Sequence, residues 1–245
     1  MATIKLILEY DGTAYAGWQR QPDRPTIQEA VETAILGVTQ THVPVIGSGR
    51  TDAGVHALGQ VASFRIDRDM TPRDWTRALN AHLPESIVVR SAALMPETFH
   101  ARHSARGKLY EYRILNRPER PSVARAYCWH LHQPLDEATM NAATSHLIGT
   151  HDFSSFQTQP TENEDLICRL QQLAVTREGD RLRIEAYADR FLKQMVRSIV
   201  GTLVEIGLKR RSPDSLKNIL TAHDRSAAGK TAPPQGLFLV RVDYD

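Results

Sequence analysis

Val43-Pro44-Val45-Ile46-Gly47-Ser48-Gly49-Arg50-Thr51-Asp52-Ala53-Gly54-Val55-His56 runs from a short apolar stretch into a loop punctuated by glycines, and Gln60-Val61-Ala62-Ser63-Phe64-Arg65-Ile66 follows with period-two alternation. Two strands therefore flank a connection that carries one carboxylate, Asp52, with Arg50 two residues before it. Glycines let the backbone take turns and positive φ, and they let a ligand approach the main chain closely. A carboxylate on such a loop is accessible and can react. It can equally make an Asx turn, the commoner use of a loop aspartate, and spacing alone leaves both readings open.

Working outward from this pair of strands, the periodicity predicts a strand at Ile4 to Tyr10, a helix at Ile27 to Thr39, strands at Val43 to Gly47 and Gln60 to Ile66, a helix at Pro72 to His82 and a strand at Ile87 to Ala93. Thr26, with Glu29 three residues on, forms a capping-box arrangement, and Thr71-Pro72 supplies an N-cap followed by proline at the first helical position. The order is βαββαβ. The second half repeats it with a strand at Leu109 to Leu115, a helix at Asp136 to Ile148, strands at Leu170 to Thr176 and Leu182 to Ala188 joined by the tight turn Glu178-Gly179-Asp180-Arg181, a helix at Phe191 to Leu208, and a strand at Leu237 to Val242. Ser212-Pro213 caps a short extra helix to about Leu220. The expected class is α+β: two ferredoxin-like halves, 1–100 and 101–245, whose antiparallel sheets join into one central sheet flanked by helices and loops. The duplication lies in element order, without a sequence repeat. Arg117 to Pro134, irregular and basic, and Gln157 to Asp165, polar, are the two long connections.

With 41% hydrophobic and 24% charged residues the chain has an ordinary globular composition, and no apolar run approaches the roughly 18 to 20 residues that span a bilayer. The start, Met1-Ala2-Thr3-Ile4-Lys5-Leu6, enters a strand pattern at once and lacks a basic leader with a cleavage region, which predicts a cytoplasmic protein. Cys128 and Cys168 are far apart, with the spacing of neither a zinc knuckle nor a disulfide framework, and read as reduced. A net charge of +2 does not by itself point to nucleic acid. The cations are clustered, however: Arg102, His103, Arg106 and Lys108; Arg113, Arg117, Arg120 and Arg125; and Lys209-Arg210-Arg211. Each cluster alone is ordinary solvated charge, and together they favour a polyanion partner.

The string Gly49-Arg50-Thr51-Asp52-Ala53-Gly54-Val55-His56-Ala57 resembles the active-site signature of the tRNA pseudouridine synthase A family. Tyr10-Asp11-Gly12-Thr13 with Gly17-Trp18-Gln19, Phe99-His100-Ala101-Arg102 with Lys108-Leu109-Tyr110-Glu111-Tyr112, Gly149 to Phe156, Phe191-Leu192 with Met195-Val196-Arg197 and Ile199-Val200-Gly201, and Gly236-Leu237-Phe238-Leu239 continue in that family's order. The resemblance implies the pseudouridine synthase fold and the isomerisation of uridine at positions 38, 39 and 40 of the tRNA anticodon arm. It also implies a homodimer that grips the anticodon arm and the elbow, and chemistry without metal or cofactor.

Residue by residue, the resemblance makes Asp52 the nucleophile, Arg197 the cation that pairs with it, and Tyr110 the ring that stacks on the base and accepts or relays the C5 proton. Arg50 would help push the base out, Leu237 would pack on the flipped base, and Phe99, His100, Ala101, Arg102 and His103 would contact the tRNA backbone. A cation beside a carboxylate keeps it ionised, and a guanidinium that stacks and binds phosphate suits base extrusion. Pattern alone reads Arg197 as a surface helix residue, Tyr110 as a half-buried strand aromatic indistinguishable from Tyr112, and Leu237 as core. The chain departs from the family at His103, where an aromatic is common, and at Lys193-Gln194, where two histidines are common. Those positions bear on RNA contact rather than chemistry. His56, His100, His103, His130 and His132 lack zinc-site spacing, so no metal is expected. A non-catalytic RNA-binding module on the same halves is the alternative, but no stretch resembles the RNP1 pattern. A metal-dependent nuclease needs further carboxylates around Asp52 that the loop lacks.

Overall fold

A computed structural model describes residues 2–158 and 165–245. The chain divides into two compact units, one made of the residues up to Arg106 together with Phe238–Asp245, the other of Gly107–Leu237.

The first unit contains β1 (Ala2–Tyr10), α1 (Ile27–Thr39), β2 (Ile46–Gly47), β3 (His56–Ile66), α2 (Pro72–Asn80) and β4 (Ile87–Met95), together with most of β10 (Leu237–Asp243). β1 pairs antiparallel with β4 on one side and β3 on the other, and β2 pairs antiparallel with the far end of β3, at Ser63 and Ala62. That is the order a βαββαβ unit requires. The sequence reading counts Leu237 to Val242 with the second half, yet in this unit β10 runs parallel to the near end of β3, Phe238 opposite His56 and Leu239 opposite Ala57. One face of the sheet is covered by helices: Ile4, Leu6 and Leu8 are wholly buried, as are Val31 and Ile35 of α1, and Trp75 of α2 packs T-shaped with Phe64, ring centroids 5.3 Å apart. Each such aliphatic side chain contributes about 1.5–3 kcal/mol by burial. Both expected caps form, Thr26 Oγ1 accepting from the Glu29 amide at 3.4 Å and Thr71 Oγ1 from the Asp74 amide at 3.2 Å.

β2 is shorter than the predicted Val43 to Gly47. Pro44 has no N–H to give a ladder, and Val45 is claimed by α1: its amide donates to Glu32 Oε1 and its carbonyl accepts from Gln28 Nε2, both at 3.1 Å.

The second unit contains β5 (Gly107–Asn116), β6 (Trp129–Leu131), α3 (Glu137–Ala143), β7 (Gly149–Asp152), β8 (Ile167–Glu178), β9 (Arg181–Ala188), α4 (Met195–Gly207) and α5 (Ser215–Ala222). Its strands pair antiparallel in the order β5-β9-β8-β7, with β6 parallel to the end of β5. The β8–β9 turn has Gly179 at φ +57°, as a tight hairpin demands. Three expectations change. α3 stops at Ala143 and continues as a 3-10 turn, Thr144–Leu147. α4 begins at Met195 because Gln194 takes a left-handed conformation at φ 61°, which leaves Phe191 outside the helix. β6 and β7 are short pairings that no periodicity announces, β6 falling inside the stretch read as irregular. Residues 159–164, most of the polar stretch Gln157 to Asp165, lie outside the described residues. Cys128 and Cys168 are free thiols.

Candidate active site

The loop bearing Asp52 is held against the segment 10–18 by contacts on both of its sides. The Trp18 amide donates to the Thr51 carbonyl at 3.0 Å, the Gly54 amide to the Tyr15 carbonyl at 3.3 Å, and the Val55 amide closes a turn on the Asp52 carbonyl at 3.1 Å. Two glycines make this approach possible. A Cβ on Gly12 would stand 2.0 Å from the Val55 carbonyl oxygen, and one on Gly17, whose φ is +101°, would stand 2.6 Å from that of Thr51. Asp52 itself is half-buried, on a backbone that the surroundings over-determine. Arg50 is exposed, its Nε donating to Gln19 Oε1 at 3.1 Å.

At the end of the loop His56 is 1% exposed and stacked on Phe238, ring centroids 4.8 Å apart. Its Nδ1 stands 3.1 Å from the Gly12 amide and 3.2 Å from Asp11 Oδ1. His56 therefore locks the loop to the segment after β1.

Phe99 to His103 form one turn, in keeping with their adjacency in sequence. Phe99 and Ala101 are buried against Val61, Ile7, Met95, Val242 and Tyr244, and the Tyr244 hydroxyl donates to the Ala101 carbonyl at 2.6 Å. His100 Nδ1 accepts the amides of Arg102 and His103, both at 3.1 Å, which requires that nitrogen to be unprotonated. Burial, with His103 and nearby arginines adding to it, holds the His100 imidazole below its ordinary range. The side chains of Arg102 and His103 are left exposed on the turn's outer side.

In the second unit the structure separates the two tyrosines that strand periodicity leaves equivalent. Tyr112 is wholly buried, its hydroxyl donates to the Pro233 carbonyl at 2.7 Å, and Gly236 is pressed against its ring, so that a Cβ there would meet ring carbons at 2.7 Å. Burial drives its phenol far above the ordinary range, and it serves packing. Tyr110 sets its ring edge-on to Phe191 at 5.0 Å. Arg197 lies on the first turn of α4, half-buried, and its Nε donates to the Ala232 carbonyl at 2.8 Å while the Ala232 amide returns a bond to the Arg197 carbonyl at 3.0 Å. The segment through Lys230 crosses α4 so closely that a Cβ on Gly201 would stand 1.7 Å from the Lys230 carbonyl oxygen. The guanidinium is thus aimed by backbone 35 residues further along the chain, a contact no helical pattern reveals. Leu237 is buried at the start of β10.

Several of the expected polyanion-binding cations have internal partners. Arg113 bridges to the buried Glu111 at 2.5 Å, where Arg183, outside those clusters, joins it at 3.1 Å; Arg211 bridges to Glu205, and Arg210 donates to Gln133 at 2.8 Å. Among the described residues no three His, Cys, Asp or Glu side chains are grouped to hold a metal ion, and no helix is long and apolar enough to cross a membrane. Sequence reasoning missed Tyr10, Ser48 and Gln60 beneath the loop, since alternation marks them only as interior strand or turn positions.

A family described as tRNA pseudouridine synthase matches residues 6–104 and 143–245. The chain is 44% identical over 244 residues to tRNA pseudouridine synthase A of Geotalea uraniireducens, covering all of both chains. It is 46% identical over 245 residues to the protein of that name from Afipia carboxidovorans, again over all of both. With tRNA pseudouridine synthase A 2 of Clostridium perfringens it shares 41% over 244 residues.

Proposed function

The chain belongs to the tRNA pseudouridine synthase family, and from that premise we propose that it isomerises uridine to pseudouridine at positions 38, 39 and 40 of the tRNA anticodon arm with Asp52 as nucleophile. In this reaction the bond from ribose C1′ to N1 breaks, the base turns, C1′ bonds to C5, the C5 proton leaves and N1 ends protonated. Nothing is oxidised or reduced, so side chains suffice for every role. The observation that carries the reading is the Asp52 loop, whose half-buried carboxylate stands on a backbone clamped by Gly12, Gly17 and Trp18. Carboxylates form covalent intermediates at such centres.

The other roles follow from chemistry. Arg197, oriented by Ala232, is the cation that pairs with Asp52. Tyr110 is the aromatic that receives the base and takes part in removing the C5 proton. Arg50, exposed beside the nucleophile, helps extrude the base and occupies its place, while Leu237 packs on the flipped ring. The turn Phe99 to His103 offers Arg102 and His103 to the RNA backbone. The same resemblance supports a cytoplasmic homodimer in which one subunit holds the tRNA elbow and the other the anticodon arm.

The test is tRNA tritiated at C5 of uridine, with release of label to water as the readout. Asp52→Asn keeps the loop's shape and removes the anion, so it should abolish release while tRNA affinity stays within about twofold. Release within about tenfold of the unaltered enzyme would refute the assignment.

A further inference from the structure

Four polar side chains stand beneath the loop that carries Arg50 and Asp52: Tyr10, Ser48, Thr51 and Gln60 are each at most 6% exposed. The Gln60 carboxamide is fully engaged. Its Oε1 accepts from Ser48 Oγ at 2.7 Å and from the Val61 amide at 3.1 Å. Its Nε2 donates to the Gly49 carbonyl at 3.0 Å and to the Tyr10 hydroxyl at 3.4 Å. The Val61 N–H can only donate, which fixes which end of the amide is oxygen. The Tyr10 hydroxyl, which accepts from Gln60, also shares a hydrogen bond with the Thr51 hydroxyl, the two oxygens 2.8 Å apart. Two donors and two acceptor sites are all a carboxamide has, and here all four are used inside the protein. Such a network is costly to bury unless complete, and an apolar residue would fill the space at less risk. Its two outlets, Gly49 and Thr51, are the residues on either side of Arg50, and Thr51 leads directly into Asp52.

We propose that Gln60 is a positioning residue for the isomerisation: through Gly49 on one side and through Tyr10 and Thr51 on the other, it sets where Arg50 and Asp52 stand. The proposal rests on the reading of Asp52 as nucleophile. Gln60 touches no reacting atom.

Gln60→Glu tests it by pH. The ionised carboxylate only accepts, so it faces the Gly49 carbonyl oxygen without a donor and repels it. Protonated, it regains one donor. Burial raises a carboxyl pKa, so this change falls in the range of about pH 5 to 8. Two titratable groups stand against the network. Tyr10, from β1, is pushed up to about 12 by burial, and Tyr244, beside Ser48, is likewise raised, so both keep their protons in that range. His56, four residues earlier on β3, addresses Gly12 and Asp11 instead.

Measured as single-turnover C5 tritium release with saturating enzyme, Gln60→Glu should be about 10²-fold slower than the unaltered enzyme near pH 8 and recover to within about tenfold near pH 5.5. Its Kd for tRNA should change less than about threefold, since no RNA contact is removed. Tyr10→Phe, a milder change, should slow the step about five- to tenfold with no new pH dependence. A Gln60→Glu rate ratio flat across pH, or a loss confined to tRNA affinity, would overturn the proposal. If Gln60→Glu does not fold, Tyr10→Phe decides, and a rate within about twofold of the unaltered enzyme overturns it. Asp52→Asn run alongside separates the two claims. Activity in that variant removes the nucleophile reading itself, whereas an inactive Asp52→Asn with a pH-independent Gln60→Glu removes only the positioning role.

Discussion

Gly17→Ala is expected to harm the enzyme in two measurable ways. Gly17 sits at φ +101°, where L side chains rarely go, and a Cβ would stand 2.6 Å from the Thr51 carbonyl oxygen and 3.1 Å from the Ala53 amide. The backbone strain amounts to about 1–3 kcal/mol. Moving the Thr51 carbonyl away also loosens its 3.0 Å bond from the Trp18 amide, a loss of about 1 kcal/mol. The two together come to about 2–4 kcal/mol, which lowers the melting temperature by at least about 5 °C. Because the displaced carbonyl adjoins Asp52, the single-turnover rate should also fall, by about 10- to 100-fold. Gly179→Ala provides the comparison: φ is +57° there, but nothing lies within 4 Å of the added carbon. It should cost about 1 kcal/mol and leave the rate alone. Thermal unfolding followed by circular dichroism, with tritium release at 25 °C or below, reads both effects. If Gly17→Ala melts and turns over like Gly179→Ala, close approach to Thr51 is not what the glycine provides.

Arg50→Ala should slow the chemical step far more than it weakens tRNA binding, whereas Arg102→Ala should weaken binding and reduce the log-log salt slope by roughly 0.7 to 0.9 for each phosphate it ceases to neutralise. Rescue of Arg50→Ala to the normal rate by saturating enzyme would make Arg50 a binding residue. Tyr112→Phe orphans the Pro233 carbonyl and should lose about 1–3 kcal/mol of stability with little change in rate. Tyr110→Phe should do the reverse, and a slower tritium release for Tyr112→Phe than for Tyr110→Phe would contradict the assignment. His100 must be neutral at Nδ1 to accept two turn amides, and its imidazole lies below the ordinary value. The support it gives the turn is therefore present above about pH 6.5 and lost as pH falls through the lower folded value. Hydrogen exchange of the Arg102 and His103 amides, corrected for intrinsic rates, should lose protection on acidification, and His100→Asn, which keeps an acceptor, should not.

Much of the architecture was legible because the signals were local. Thr26 and Thr71-Pro72 mark helix starts that the structure keeps, and alternation places β1, β3, β5 and β9 within a few residues. Where the sequence misled, a partner distant in the chain decided. Glu32 and Gln28 draw Val45 out of a ladder, and β10 joins β3, about 180 residues earlier in the numbering. Asp52, the proposed nucleophile, was legible through resemblance, but its support was not. Gly12, Gly17 and Gln60 act by close approach across 11 to 50 residues of chain, and Ala232 aims Arg197 in the same way. Tyr112 and Tyr110 share a strand face, and partners distant in the chain, the Pro233 carbonyl and Gly236 for one and Phe191 for the other, distinguish them.

The parallel seat of Phe238 and Leu239 on His56 and Ala57 has a consequence for how the enzyme is made. During synthesis the first 106 residues emerge early, but their unit lacks the strand that covers the near end of β3, the ring on which His56 stacks, and the Tyr244 hydroxyl that holds the Phe99 to His103 turn. Those pieces leave the ribosome only after the whole of the second unit, Gly107–Leu237, has been translated. Vectorial folding, in which an N-terminal domain is finished before the next begins, is therefore denied to this unit. The nascent chain carries an incompletely clamped Asp52 loop until residues 238–245 return to it, so competence for catalysis waits on their synthesis.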